Sequence, residues 1–154
     1  MLAINADPKV MEFFPGIPTV DQTITFIHKM QKQFEKNGFC YFAVDKLDDG
    51  EFIGFIGLAE QTFEAEFTPC IDIGWRIKQQ YWGKGYATEG AKKCIDFAFN
   101  DLKIKTIKSI APEINLKSVL VMQKIGMRKV STFNHPLLKN HEHLKTCVLY
   151  ELKK

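Results

Sequence analysis

The hydrophobic pattern of the first forty residues predicts one short helix and one long helix. A short helix over Asp7 to Phe13 has Pro8 at its first position, where a missing N–H costs nothing. Thr19 and Gln22 have the spacing of a capping box. Apolar residues then recur at helical intervals: Ile24, Ile27, Met30 and Phe34. Gly38 is a typical helix-ending residue, so the long helix is predicted to end there.

Three strands are predicted next, joined by turns. Cys40 to Lys46 is the first strand, and the turn at Leu47 to Gly50 leads back into a second strand over Phe52 to Gln61. Cys70 to Ile77 is the third strand, because apolar residues alternate along it. One face of this strand is predicted to carry Ile71, Ile73, Trp75 and Ile77. The three strands form a meander.

A strongly amphipathic helix follows the glycine-rich segment after the third strand. Its apolar stripe comprises Ala87, Ala91, Cys94, Ile95, Ala98 and Leu102. The chain then continues with a strand at Thr106 to Ala111, a helix at Asn115 to Ile125, and two closing strands near Arg128 to Phe133 and Lys145 to Glu151. This order predicts an α+β (mixed α/β) fold, in which helices flank one mixed sheet.

Composition narrows the class of protein without identifying it. The 154 residues predict a single domain over 1–154, and a net charge of +3 does not point to nucleic acid or a membrane surface. No signal peptide and no apolar run of about 20 residues is present. The cysteines form no CxxC pair, so we expect no metal site, buried free thiols and a cytoplasmic location. They are Cys40, Cys70, Cys94 and Cys147.

The segment Gln80 to Thr88 carries the chemistry of interest. In this segment a strand is followed by Gly83-x-Gly85 and then by a helix. Such an arrangement lets backbone N–H groups converge on an anion at the helix N-terminus. A Walker loop is excluded because Gly85 stands where Ser or Thr is required. A dinucleotide fingerprint is excluded because Thr88 stands in place of the third glycine. A purely structural helix-entry turn remains an alternative at this point.

Gln80-x-x-Gly83-x-Gly85-x-Ala87 resembles the pyrophosphate motif of the GNAT superfamily of N-acetyltransferases. The similarity extends to the RimJ/RimL-like branch through elements in the same order along nearly the whole chain. These elements are Ile73–Ile77, Ala87–Gly90, Asn115–Ser118, Val121–Met127, Phe133–Pro136 and Val148–Tyr150.

The resemblance implies acetyl-CoA as co-substrate and a primary amine as acceptor: a protein N-terminus, a peptide or a small amine. It also implies that the strand Ile71–Ile77 splays from Thr106–Ala111 to admit the pantetheine arm. The implied cofactor-binding residues are Ile73, Gly74, Trp75, Gln80, Trp82, Gly83, Lys84, Gly85, Tyr86, Ala87, Thr88 and Asn115. Lys84 is either a charge near the phosphates or a solvated lysine, and Asn115 either contacts pantetheine or caps a helix.

Catalytic residues are less clearly implied. Met122 stands where many GNAT enzymes have a tyrosine general acid, which leaves Ser118 as the replacement candidate. Asp72 is the candidate for accepting the amine proton or binding the ammonium, unless it is a carboxylate facing solvent. His135 is expected to stabilise a turn. A CoA-binding regulatory module without turnover is the alternative function.

Two further expectations concern surfaces. The acidic residues Glu60, Glu64 and Glu66 suit a cationic acceptor, although a solvated loop explains them equally. Members of the family usually begin with an additional strand before the segment that starts at Ala6. We therefore expect the strand Cys40 to Lys46 to be an open sheet edge, which an upstream segment or a second copy of the chain covers.

Overall fold

The computed structural model describes residues 1–154 and contains one six-stranded mixed sheet flanked by helices. The strand order is β1-β2-β3-β4-β6-β5. The helices are α1 (Leu2–Asn5), α2 (Val20–Asn37), α3 (Tyr86–Asn100) and α4 (Leu116–Lys124). The strands are β1 (Tyr41–Asp45), β2 (Phe52–Gln61), β3 (Cys70–Ile77), β4 (Thr106–Pro112), β5 (Arg128–Asn134) and β6 (Thr146–Lys153). This architecture confirms the predicted fold class and every predicted strand.

The predicted signals at the ends of α2 are present. The Thr19 side chain accepts a hydrogen bond from the Gln22 N–H, while the Gln22 side chain accepts one from the Thr19 N–H. Gly38 follows the helix with φ of 75°, a left-handed conformation that glycine adopts without a steric penalty. Local sequence chemistry therefore sets both ends of this helix.

The prediction of a helix over Asp7 to Phe13 is wrong. The helical turn lies earlier, at α1, and residues 7–13 form a series of turns. The Asp7 side chain accepts hydrogen bonds from the N–H groups of Lys9 and Val10, at 2.9 and 3.4 Å. These are the contacts of a helix N-cap, and the Met11 N–H donates to the Asp7 carbonyl at 3.0 Å. No second backbone bond of this span follows, so the helix start does not extend beyond one turn.

The apolar stripe predicted for α2 faces the sheet only in part. Met30 is buried, but Ile24, Ile27 and Phe34 are 45%, 37% and 49% exposed. Beside Met30, the side of α2 that faces the sheet carries three residues outside the predicted stripe: Thr23, Phe26 and Gln33. The helix is therefore placed as predicted, with its most apolar side turned largely to solvent.

The two faces of the sheet have different partners. Phe55 of β2 packs against Phe26 of α2, with ring centroids 5.5 Å apart. Ile56 points to the opposite face, because successive strand residues alternate, and lies against Gly90 of α3. The main core is on the α3 face, where Ile73, Ala91 and Ile107 are fully buried. None of the helices is long and apolar enough to cross a bilayer.

Strands β3 and β4 diverge near the middle of the sheet. β3 pairs with β2 along all of its eight residues, from Gln61 opposite Cys70 to Gly54 opposite Ile77. Its parallel pairing with β4 is limited to Asp72 opposite Lys108. The predicted splay is therefore present.

The open edge at β1 is present as well. β1 pairs only with β2, so it forms one border of the sheet. The four cysteines are free thiols; Cys40 and Cys147 are buried, whereas Cys70 and Cys94 are half-buried. The prediction of burial for the last two is thus met only in part.

Candidate functional site

A cavity of about 270 Å³ opens where β3 and β4 diverge. The C-terminal half of β3 forms its floor, and the N-terminal turns at residues 9–14 cover one side. The other walls are the Gly83–Thr88 segment with the start of α3, and one face of α4. The splay of two strands, one loop and two helices therefore builds a single site.

The loop in this cavity presents an unbroken row of backbone donors. Gly83 and Gly85 have φ of 74° and 91°, and a Cβ at either position would meet no atom within 4 Å. α3 begins at the next residue, and its first backbone bond runs from the Glu89 N–H to the Gly85 carbonyl. From Gly83 to Thr88, no backbone N–H donates to an acceptor within the protein. Six adjacent N–H groups without a protein acceptor, at a helix N-terminus, are an arrangement that suits an anion.

The charges around the cavity have one sign. Its lining includes four cationic side chains and no aspartate or glutamate. They are Lys9, Arg76, Lys117 and Lys124. A polyanion is the class of ligand that this combination of cations and free N–H donors attracts.

Side-chain hydrogen bonds hold the two ends of the β3 floor. The buried Ser109 hydroxyl of β4 donates to the Ile73 carbonyl at 2.9 Å. The Trp82 indole Nε1 donates to the Ile77 carbonyl at 2.7 Å. Between these two anchors β3 has no ladder partner on its β4 side. This stretch of strand is therefore available for pairing with an extended ligand arm.

The first turn of α4 brings Asn115 and Ser118 into the cavity wall. The Asn115 side chain accepts a hydrogen bond from the Ser118 N–H at 3.2 Å, so Asn115 is the N-cap of α4. Its Nδ2 group stays free to donate to a ligand, and capping and ligand binding are therefore compatible. Met122 is 1% exposed and packs in the core, so no acid occupies that position.

Asp72 lies on the other face of the sheet, beside α2, and is 7% exposed. The Tyr41 hydroxyl donates to its Oδ2 at 2.7 Å, and Gln61 Nε2 approaches the same oxygen at 3.4 Å. Oδ1 is buried without a hydrogen bond of acceptable geometry. Burial raises the pKa of Asp72 to about 7, and hydrogen bonds from Tyr41, Gln61 and the Ile110 backbone partly oppose this rise. The solvent-facing alternative for Asp72 is therefore wrong.

Arg76 ties the N-terminal segment to the sheet. Its Nη1 donates to Asn5 Oδ1 at 2.7 Å, and its guanidinium lies 4.0 Å from the Phe14 ring centroid. Burial lowers the pKa of Arg76 to about 10, so the group remains charged at neutral pH. Val10, Phe13 and Phe14 line the cavity as a result, and the local sequence pattern did not indicate this role.

His135 has the geometry of a turn-stabilising residue. Its Nδ1 accepts a hydrogen bond from the Leu137 N–H at 3.2 Å, at the start of a 3₁₀ turn. Its ring packs 4.3 Å from that of Phe63, and burial lowers the pKa of His135. The aromatic contact joins the β2–β3 loop to the end of β5.

The structure brings nine of the residues implied by the resemblance together at the cavity: Trp75, Trp82, Gly83, Gly85, Tyr86, Ala87, Thr88, Asn115 and Ser118. Asp72, Ile73, Gly74, Gln80 and Lys84 do not line it. The Lys84 ammonium instead lies 5.2 Å from the Tyr81 ring centroid. Lys117 and Lys124 were missed, although their i, i+7 spacing on a predicted helix placed them on one side.

Comparison with known proteins agrees with this geometry. The model of the acetyltransferase (GNAT) domain family matches residues 1–128. FsC-acetyl coenzyme A-N(2)-transacetylase of Aspergillus fumigatus is 33% identical, over 86% of this chain and 58% of its own length. YnaD of Bacillus subtilis, an uncharacterized N-acetyltransferase, is 28% identical over 90% of this chain and 77% of its own.

A solved structure shows the same fold. The GNAT-family acetyltransferase from Bacillus anthracis superposes with a TM-score of 0.80 at 24% identity. The match covers 99% of this chain and 86% of that one. The chain therefore belongs to the acetyltransferase (GNAT) domain family and is an acyltransferase.

Proposed function

We propose that the chain moves the acetyl group of acetyl-CoA to a primary amine on a peptide, a protein N-terminus or a small molecule. The observation that carries the proposal is the row of free N–H donors at Gly83–Thr88, in a cavity that has four cations and no carboxylate. The donors suit the pyrophosphate, and the open stretch of β3 suits the pantetheine arm. Acetyl-CoA supplies an activated thioester, so the chain's own residues need only bind, orient and move protons.

We assign the handling of the amine proton to Asp72. An ammonium must lose a proton before its nitrogen can attack, and Asp72 is a buried carboxylate whose Oδ1 accepts no side-chain hydrogen bond. A pKa of about 7 places this carboxyl close to neutrality, where it can take up a proton and release it again. We propose direct attack by the amine, without a cysteine nucleophile. Burial raises the pKa of all four thiols, which disfavours the reactive thiolate form.

Ser118 is the candidate for hydrogen bonding to the leaving sulfur. It lies half-buried in the cavity wall at the first turn of α4, while its N–H is held by Asn115. A thiolate is a tolerable leaving group, so orientation by a hydroxyl suffices without a strong acid.

Turnover distinguishes the enzyme from a CoA-binding regulator. The purified chain is incubated with acetyl-CoA and a panel comprising peptides with free N-termini, amino acids and polyamines, and CoA release is followed with a thiol reagent. We expect release that depends on one class of amine. Calorimetric binding of CoA without release, for every amine tested, would support the regulator instead. Failure to bind CoA would contradict both.

The role of Asp72 has its own signature in the pH profile. Because Asp72 must be ionised to accept a proton, kcat/KM is expected to fall as the pH drops below about 7. Asp72→Asn is expected to lower kcat/KM about 100-fold and to remove this dependence. Asp96→Asn, on the exposed side of α3, is the matched control. Unchanged kcat in Asp72→Asn at every pH removes Asp72 from the mechanism.

A further inference from the structure

One side of α4 forms a four-residue wall of the cavity. Lys117, Leu120, Val121 and Lys124 all line it, and their spacing of three, one and three residues places them on one helical stripe. Leu120 is 54% exposed, whereas Met122 on the opposite side is fully buried. The stripe is therefore a surface facing the cavity and is not a part of the core. It consists of an apolar centre with a lysine at each end.

The two lysines of this stripe have no acidic partner. Every ion pair in the protein uses another lysine: Lys36, Lys46, Lys78, Lys108, Lys145 or Lys153. The Lys117 ammonium instead lies 4.1 Å from the centroid of the Trp82 ring. That ring is fixed by its hydrogen bond to the Ile77 carbonyl. Lys117 is thus held at the cavity beside the anion-binding loop.

The position of the stripe relative to the loop suggests its ligand. The free N–H donors of Gly83–Thr88 have the geometry for a pyrophosphate, but they leave the positive charges on α4 unused. Lys117 and Lys124 are about 10 Å apart along the helix axis, so two flexible four-carbon side chains can converge on one phosphate. A phosphomonoester carries nearly two negative charges at neutral pH, which matches two lysines.

We infer that Lys117 and Lys124 form a phosphomonoester subsite that binds the 3′-phosphate of CoA, with Leu120 and Val121 as the apolar seat of the adenine. The inference rests on the proposed function, because it assumes that CoA is the ligand. It assigns the 3′-phosphate to α4 and not to Lys84, whose side chain lies outside the cavity. The chain accordingly discriminates CoA from dephospho-CoA, which differs only by this phosphate.

Calorimetry with the two ligands measures this discrimination directly and needs no turnover. The wild type is expected to bind CoA about tenfold more tightly than dephospho-CoA, as two charge-assisted contacts from exposed lysines allow. In Lys117→Ala/Lys124→Ala the two ligands are expected to bind equally, because CoA loses more affinity than dephospho-CoA does. Lys117→Arg/Lys124→Arg should retain the preference for CoA. The matched control is Lys92→Ala/Lys93→Ala, which removes the same charge from the exposed side of α3.

Two further readouts accompany the titrations. Loss of the ammonium over Trp82 is expected to change the intrinsic fluorescence of Lys117→Ala, and 0.5 M salt is expected to reduce the preference of the wild type for CoA. Two results would overturn the inference and leave the proposed function intact. One is equal binding of CoA and dephospho-CoA by the wild type, and the other is a preference for CoA that persists in Lys117→Ala/Lys124→Ala. If the wild type binds neither ligand, the proposed function fails.

Discussion

At the scale of single residues, the environment of Asp72 depends on a tyrosine from the sheet edge and on a glycine. Tyr41 of β1 reaches across β2 to donate to Asp72, and its ring forms a cluster with those of Phe26 and Phe55. The hydroxyl passes directly over Gly74, where a Cβ would lie 2.9 Å from the Tyr41 oxygen. Gly74 is thus required by packing on the α2 face, whatever its backbone contributes to ligand binding.

Removing that hydroxyl is expected to shift the titration of Asp72. The Tyr41 O–H stabilises the ionised carboxylate, so Tyr41→Phe should raise the pKa of Asp72 further. A rise of about one unit is expected, because a hydrogen bond to a charged group contributes about 1.5–3 kcal/mol. A carboxyl-carbon NMR titration measures this shift, and the acid limb of kcat/KM should move to higher pH with it. Tyr150→Phe removes a core hydroxyl whose contact is Gln123 and not Asp72, and it should change neither. An unshifted titration in Tyr41→Phe would show that the bond does not tune Asp72.

At the scale of elements, the anion site is a property of the turn into α3. Both glycines of the loop have positive φ, and neither has a neighbour that a methyl group would touch. Their requirement for glycine is therefore conformational and not steric. The same holds for Gly50, in the β1–β2 turn, with φ of 69°.

This similarity provides a matched pair of variants. Gly85→Ala and Gly50→Ala are each expected to lower the free energy of unfolding by about 1–2 kcal/mol, because alanine disfavours the left-handed conformation. Only Gly85→Ala should also weaken CoA binding, since a relaxed loop moves its N–H groups away from the anion. Chemical denaturation and calorimetry of both variants test this. Equal CoA affinity in the two would show that the loop geometry does not hold the cofactor.

At the scale of the whole molecule, the residues of the proposed function lie on the two faces of one sheet. The cavity opens at the gap between β3 and β4, whereas Asp72 and Tyr41 lie on the face covered by α2. Under the proposed function, the acetyl group and the amine approach from different sides and meet at β3. The open edge at β1 lies beside the exposed apolar side of α2, and its coverage by a second copy of the chain stays a prediction.

The elements of the fold could be predicted from the sequence because their signals are local. The alternation of apolar residues predicted β3, and the capping box with Gly38 predicted the two ends of α2. Gly83-x-Gly85 predicted the turn into α3. The N-terminal segment was mispredicted because its local signal is not followed by a helix. Asp7 makes the contacts of a helix N-cap, but the helical bonding ends after one turn, and Phe14 packs on Arg76, which is far away in the sequence.

The sequence by itself determined the family, the order of the elements and the anion-binding loop, since each depends on residues that are neighbours in the chain. Only the tertiary structure decided what surrounds that loop. Residues far apart in sequence set the remaining chemistry: Tyr41 with Asp72, Arg76 with Asn5, and Lys117 with Trp82. Burial and charge pairing depend on such long-range contacts, and they decide the pKa of Asp72 and the cationic lining of the cavity.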